Sequence, residues 1–406
     1  MIEKHTCKNG LRVVLEKVPA VRSVTIGIWI LTGSRHEHAE INGISHFLEH
    51  MFFKGTKTRT AQDIAEEFDA IGGQVNAFTS KEYTCLYAKV VDTYKYKALD
   101  ILADMYFHSQ FQEEEMEKEK KVVYEEIKMY EDTPDDLVHD LLAQAAYGSH
   151  PLGLPILGTE EKLATFTSKM LEDYIHLRYT PDNVVISVAG NVDTSFIQTV
   201  ETYFGSYTFT KSSKTLAKPT FLGEKMERYK DTEQVHLCLG YNGLAVHEAA
   251  IYSLIIMNNV LGGSMSSRLF QDVREKKGLA YSVFSYHSSF MDSGLLTIYA
   301  GTAKNQSEQL LHVIQETIDK FITKGLSDKE LQSSKEQLKG SLLLSLESTT
   351  SRMSRNGKNE LILKEHYTLD ELVEMIDDVN HTEIQQVMDI VFQQPPSIAL
   401  ISPKGN

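Results

Sequence analysis

The sequence predicts an α+β protein made of two homologous domains, each a largely antiparallel β-sheet with helices packed on one face. Three observations lead there. The chain has 406 residues, more than one ordinary core organises and suited to two domains of about 200 each. The same order of local patterns occurs twice, about 205 residues apart. A polar, basic stretch without hydrophobic period separates the two copies and reads as a linker. The predicted boundaries are a first domain over 1–208, a linker over 209–220 and a second domain over 221–406.

Each element has a local reason. Residues 1–15 alternate as a strand around the turn Lys8-Asn9-Gly10. They hold no basic segment followed by an apolar one and no Arg-rich amphipathic segment, which predicts a cytoplasmic protein. A β-rich run opens each copy, at 24–29 and at 235–240, and a helix follows. A glycine-containing turn then leads into a strand, at 72–78 in the first copy and 277–283 in the second. A further strand comes next (84–91; 295–301), and then a long amphipathic helix (95–108; 306–322).

Composition narrows the function classes. Hydrophobic residues make up 42% and charged residues 24%, as in ordinary globular proteins. The longest apolar runs, such as 24–31, are the size of strands and argue against a membrane span. A net charge of −15 without a basic stripe argues against nucleic-acid binding. Cys7, Cys85 and Cys238 are far apart with no paired spacing, so they read as buried, reduced thiols.

The chemistry concentrates in His46-Phe47-Leu48-Glu49-His50. On a helix, positions i and i+4 share a face, so both imidazoles can reach one metal ion. Glu49 stands beside the second histidine, within reach of the proton of a water held there. This is the inverted-zincin order of residues. With Gly73 set against Gly278, the positions opposite His46, Glu49 and His50 in the second copy are Ile251, Leu254 and Ile255. The repeat needs only a packed helix at that place, so the polar set is an addition with a desolvation cost.

Catalytic zinc takes three protein ligands and an open position. The acidic segment 112–136 is the obvious source of the third. Val122, Val123, Ile127 and Met129 are expected to mark its buried side, with Glu119 and Glu126 on a stripe bordering it. Glu125 lies about 100° from Glu126 around the helix. Helix geometry alone leaves the choice between them open.

The chain resembles the pitrilysin, insulin-degrading enzyme and mitochondrial processing peptidase family of inverted zincins. The likeness rests on Gly43-Ile44-Ser45-His46-Phe47-Leu48-Glu49-His50-Met51, on Phe53-Lys54-Gly55-Thr56, and on Glu119-Lys120-Lys121-Val122-Val123-Tyr124-Glu125-Glu126-Ile127. In that family the last ligand is a glutamate about 76 residues after the second histidine, with another acid seven residues earlier. The resemblance therefore implies a zinc site of His46, His50 and Glu126, one Zn²⁺ per chain, with Glu119 orienting a ligand and Glu49 as catalytic base. It further implies that Asn76, Ala77 and Phe78 belong to an edge strand that binds an extended peptide backbone. Arg274 and Tyr281, seven apart in Arg274-Glu275-Lys276-Lys277-Gly278-Leu279-Ala280-Tyr281, resemble the pair that faces the scissile bond. Residues 261–269 stand where processing-peptidase relatives carry a glycine-rich loop, here shorter and poorer in glycine.

The activity so implied is zinc-dependent endopeptidase or oligopeptidase cleavage of extended or unfolded peptides in a clamshell chamber. Longer relatives hold four such domains and this chain two, so a dimer is expected. It would be a homodimer with Arg274 and Tyr281 acting in trans, or a heterodimer with an inactive homologue. A catalytically silent assembly subunit is the alternative.

Overall fold

The computed structural model describes residues 2–208 and 216–403; the part of the predicted linker at 209–215 lies outside the described residues. In chain order the first elements are β1 (Ile2–Thr6), β2 (Arg12–Lys17), β3 (Ser23–Ile30), α1 (Ile44–Met51), α2 (Ala61–Ala70), β4 (Gln74–Thr79), β5 (Thr84–Val91) and α3 (Lys95–His108). There follow α4 (Glu113–Glu131), α5 (Pro134–Tyr147), α6 (Glu160–Ala164), α7 (Ser168–Arg178), β6 (Val184–Gly190) and α8 (Phe196–Phe204). The later elements are β7 (Lys225–Tyr229), β8 (Gln234–Asn242), α9 (Ile251–Gly262), β9 (Ala280–Ser289), β10 (Gly294–Ala303), α10 (Ser307–Lys324) and α11 (Asp328–Ser345). Last come α12 (Thr349–Lys358), α13 (Leu369–Asp378), α14 (His381–Val391) and β11 (Ser397–Ser402). The architecture is α+β, with two mixed sheets. Among the described residues no helix is long and apolar enough to cross a membrane.

Two compact units form, and their limits differ from a single cut at 209–220. The first takes Met1–Ile127, Pro155–Leu216 and Leu344–Thr368; the second takes Lys128–Leu154, Ala217–Leu343 and Leu369–Asn406. The cause is an exchange of one helix in each direction. Helix α12, late in the sequence, packs in the first unit, and α5, early in the sequence, packs in the second.

The sheet of the first unit has the order β1-β2-β6-β3-β5-β4, with β2 and β6 parallel and the other neighbours antiparallel. Alternation on β3 divides its two faces. Val24, Ile26, Ile28 and Ile30 enter the main core with α1 and α3. Thr25 and Trp29 point the other way, to α12: Thr25 Oγ1 lies 2.9 Å from Thr349 Oγ1, and Trp29 Nε1 donates to Met353 Sδ at 3.1 Å. Gly27 permits this approach, since a Cβ there would fall 2.3 Å from Met353 Sδ.

The five-stranded sheet of the second unit, β7-β11-β8-β10-β9, repeats the order β2-β6-β3-β5-β4 without a counterpart of β1, again with one parallel pair, β7 with β11. Leu237, Leu239 and Tyr241 of β8 face the helical layer of α9, α10 and α14. Cys238 faces the opposite side, where Leu137, Val138, Leu142 and Ala146 of α5 cover the sheet. Thus each sheet carries its main helical layer on one face, with a single exchanged helix on the other.

On α4 the expected buried side needs correction. Val123 is fully buried and Ile127 packs on the core, but Val122 and Met129 are exposed, at 53% and 67%. The inward stripe instead runs through Met116, Glu119, Lys120 and Val123. It tolerates polar residues because Glu119 is turned onto a histidine of α1.

Candidate metal centre and active site

Helix α1 starts from an unusual junction. Gly43 holds φ +97°, and a Cβ there would meet Leu157 O at 2.7 Å, so the tight left-handed entry requires glycine. The buried carboxylate of Glu37 accepts from the N–H groups of Gly43 and Ser45, each at 2.8 Å, and from Asn42 Nδ2 at 3.0 Å. These bonds satisfy donors that a helix start leaves unpaired and fix the direction of α1. Burial raises the Glu37 pKa, and the same hydrogen bonds partly restore its charge.

One turn apart on α1, the His46 and His50 rings lie 4.7 Å from each other. Glu126 approaches from α4: His46 Nε2 is 3.6 Å from Oε1, and His50 Nε2 is 3.4 Å from Oε2. These separations are long for direct N–H···O bonds. They match the about 3.3–3.6 Å between ligand atoms of a tetrahedral ion with bonds of about 2.0–2.2 Å. One ligand atom from each of the three residues lies within 4.8 Å of the others. Two imidazoles and one carboxylate are a fitting donor set for zinc.

The surroundings prepare these ligands. His50 Nδ1 lies 2.8 Å from Glu119 Oε1, which leaves Nε2 for the cluster, and Lys54 Nζ reaches Glu119 Oε2 at 2.5 Å. Burial opposes charge on His50, yet Glu119 and Glu126 together outweigh it and lift its pKa to about 9. Burial, with the charge of His50, pulls His46 down to about 4. The adjacent His50 and His46 rings hold Glu126 below the usual carboxylate range; Glu119 is also held low, as His50 and Lys54 overcome its burial. A cation among these groups therefore competes with a proton on His50.

Glu49 is half-buried on the neighbouring side of α1. Burial raises its pKa, an effect moderated by the Thr79 hydroxyl, which donates to Oε2 at 2.6 Å. Thr79 ends β4, and β4 is the last strand of its sheet, paired on one side only. Glu49, His50, Phe53, Lys54, Asn76 and Glu119 line a depression of ≈ 350 Å³. Asn76 and Phe78 are exposed on β4 while Ala77 is buried. The Phe78 ring packs edge-on against Trp29, Tyr83 and Tyr87.

The structure thus brings His46, His50, Glu126, Glu119 and Glu49 together beside the strand of Asn76, Ala77 and Phe78. Glu125 is exposed and outside the ligand cluster. Arg274 and Tyr281 belong to the second unit. They meet across the turn before β9, with the Arg274 guanidinium 4.7 Å from the ring centres of both Phe270 and Tyr281. Tyr281 is 80% exposed, free to meet a ligand. In the 261–269 segment, Arg268 makes a two-pronged bond to Glu330 at 2.8 and 2.9 Å and stacks on Phe321. Sequence reasoning assigned no role to Glu37, Lys54 or Thr79. Lys54 sat inside a recognised segment and Thr79 directly follows the strand expected at 72–78, whereas Glu37 gave no periodic signal.

Comparison with known proteins places this arrangement in a class. Residues 12–160 match the model of the insulinase family, peptidase family M16, and residues 165–338 match that of the peptidase M16 inactive domain. The uncharacterized zinc protease YmxG of Bacillus subtilis (strain 168) is 64% identical over 406 residues, covering 100% of this chain and 99% of the relative. An uncharacterized zinc protease of Streptomyces coelicolor is 40% identical over 99% of this chain and 90% of its own. The chain belongs to peptidase family M16. Its fold is shared with the crystal structure of a protease from Helicobacter pylori, at a TM-score of 0.92 and 23% identity over 99% of both chains. A peptidase M16 inactive domain structure from Pseudomonas fluorescens gives 0.91 at 19% identity, over 100% of this chain and 98% of the other.

Proposed function

We propose that the protein is a zinc-dependent endopeptidase or oligopeptidase acting on extended, unfolded peptides. The observation that carries this reading is the convergence of His46, His50 and Glu126 at ligand spacing, with Glu49 at the end of an unpaired edge strand. A bound Zn²⁺ would supply Lewis acidity for a peptide carbonyl and for water.

The chain's own residues supply the rest. Free backbone groups of β4 pair with the substrate as an added strand, and Asn76, Ala77 and Phe78 fix its register. Glu49 takes a proton from the attacking water and hands it to the departing amine, a task suited to a carboxylate with a raised pKa. Glu119, braced by Lys54, holds His50 in the orientation that presents Nε2. Arg274 and Tyr281 come from a second copy of the chain, where the phenol donates to the developing oxyanion. The functional unit in this reading is a homodimer with one Zn²⁺ in each chain.

The test is cleavage of an unstructured peptide by purified protein, followed by mass spectrometry. Cleavage that stops with a chelator, returns with Zn²⁺ and is absent in Glu49→Gln supports the proposal. A protein that binds no zinc and leaves the peptide intact would instead favour an assembly role.

A further inference from the structure

A second cluster of metal-binding side chains lies in the first unit, built from the N-terminal hairpin and α8. His5 is on β1, Cys7 follows that strand, and Glu201 is on α8. One ligand atom from each lies within 4.8 Å of the other two. His5 Nε2 is 2.8 Å from Glu201 Oε2, and the Lys8 N–H donates to Oε1 at 3.1 Å.

We propose that His5, Cys7 and Glu201 form a second divalent transition-metal site, of the zinc and cobalt class, that fastens the N-terminal strand to α8. The donor set is right for it: one thiolate, one imidazole and one carboxylate suit a borderline-soft ion. Charge also balances. A doubly positive ion between a thiolate and a carboxylate leaves a net neutral group, which a buried setting around Cys7 tolerates. The framework is held in place independently of the ligands, because Asn9 Nδ2 donates to Phe204 O at 2.8 Å and Tyr207 O at 2.9 Å and so docks the hairpin turn on the end of α8. His5 is partly exposed, which leaves a path for the ion and a position for water. On binding, the Cys7 S–H bond is replaced by a sulfur–metal bond, and the proton passes to solvent.

This inference is independent of the peptidase reading, since His46, His50 and Glu126 contain no sulfur. Chelator-stripped full-length protein is titrated with Co²⁺ and followed by absorbance in the near ultraviolet, where thiolate-to-cobalt charge transfer appears. The expected result is a band that is complete once both clusters are filled, at about two Co²⁺ per chain in the unaltered protein and about one in Glu126→Gln, and that is lost in Cys7→Ser. His5→Gln, at a partly exposed position, should weaken Co²⁺ binding at this band at least tenfold. Should Cys7→Ser fold poorly, the His5→Gln comparison decides alone. The proposal is overturned by the absence of a band in the unaltered protein, by a band that survives Cys7→Ser, or by unchanged affinity in His5→Gln.

Discussion

His50 and Glu119 are joined Nδ1 to Oε1 at 2.8 Å, so the second histidine of the pentapeptide enters the ligand cluster with its orientation already fixed. Lys54 sits on the other oxygen of the same carboxylate, at 2.5 Å. Partners of this kind typically alter metal affinity by about 10–100-fold when removed. Glu119→Gln should therefore weaken zinc binding at least tenfold, and Lys54→Met should do so by a smaller factor. Competition against a chromophoric chelator measures both, with circular dichroism to confirm the fold. Unchanged affinity in Glu119→Gln would show that the contact does not orient the ligand.

Thr79 gives a prediction about pH. Its hydroxyl stabilises the charged form of Glu49 and so restrains the rise in pKa that burial causes. Thr79→Val removes that donor, so the Glu49 pKa must climb further. If Glu49 acts as the base, the acidic limb of the kcat/KM profile moves to higher pH in this variant. Zinc content should stay the same, because Thr79 touches none of the ligands. Glu49→Gln should also keep its zinc while losing activity by about 10²–10⁴-fold, the usual contribution of a general base.

The repeat and many element limits were legible because alternation and helical periodicity report which face of a segment is buried. The expected strand at 84–91 and helix at 95–108 coincide with β5 and α3. What could not be read was the destination of a buried face. Leu137, Val138, Leu142 and Ala146 mark α5 as one-sided, but nothing in that pattern says which sheet receives it. The exchange of α5 and α12 was invisible for this reason. Lys54 and Thr79 are single polar side chains whose roles arise only when α1, α4 and β4 converge. Val122 misled because apolar character predicts burial only on average, and its neighbour Val123 fills the inward position.

Glu360 anchors the late segment 344–368 within the first unit. Its side chain is 5% exposed and pairs with Lys4 Nζ and His366 Nε2, each at 2.8 Å, and with Arg12 Nη1 at 3.3 Å. Burial alone would raise its pKa, but these partners outweigh it and hold the carboxyl at about 2, below its ordinary 4.5. A carboxyl depressed on folding stabilises the protein above its unfolded pKa, and that contribution disappears as pH falls through the folded value. Glu360→Gln should cost about 2–3 kcal/mol at pH 7 and progressively less between pH 4.5 and 2. Urea midpoints of both proteins across this range measure the effect. A gap that stays constant with pH would assign the loss to packing.

Arg274 and Tyr281 lie in the second unit and His46, Glu49 and His50 in the first, so their cooperation can be tested genetically. Glu49→Gln inactivates the zinc-bearing half of a site, and Tyr281→Phe weakens the other half. If the halves come from different chains of a homodimer, mixing the variants creates one intact site in each mixed dimer. Equal amounts exchanging freely form mixed dimers half of the time, so about one quarter of wild-type activity should return. If both halves come from one chain, every site in the mixture carries a defect and activity remains at the level of the separate variants. The measurement is peptide cleavage after unfolding and refolding the mixture together, with each variant treated alone as its control.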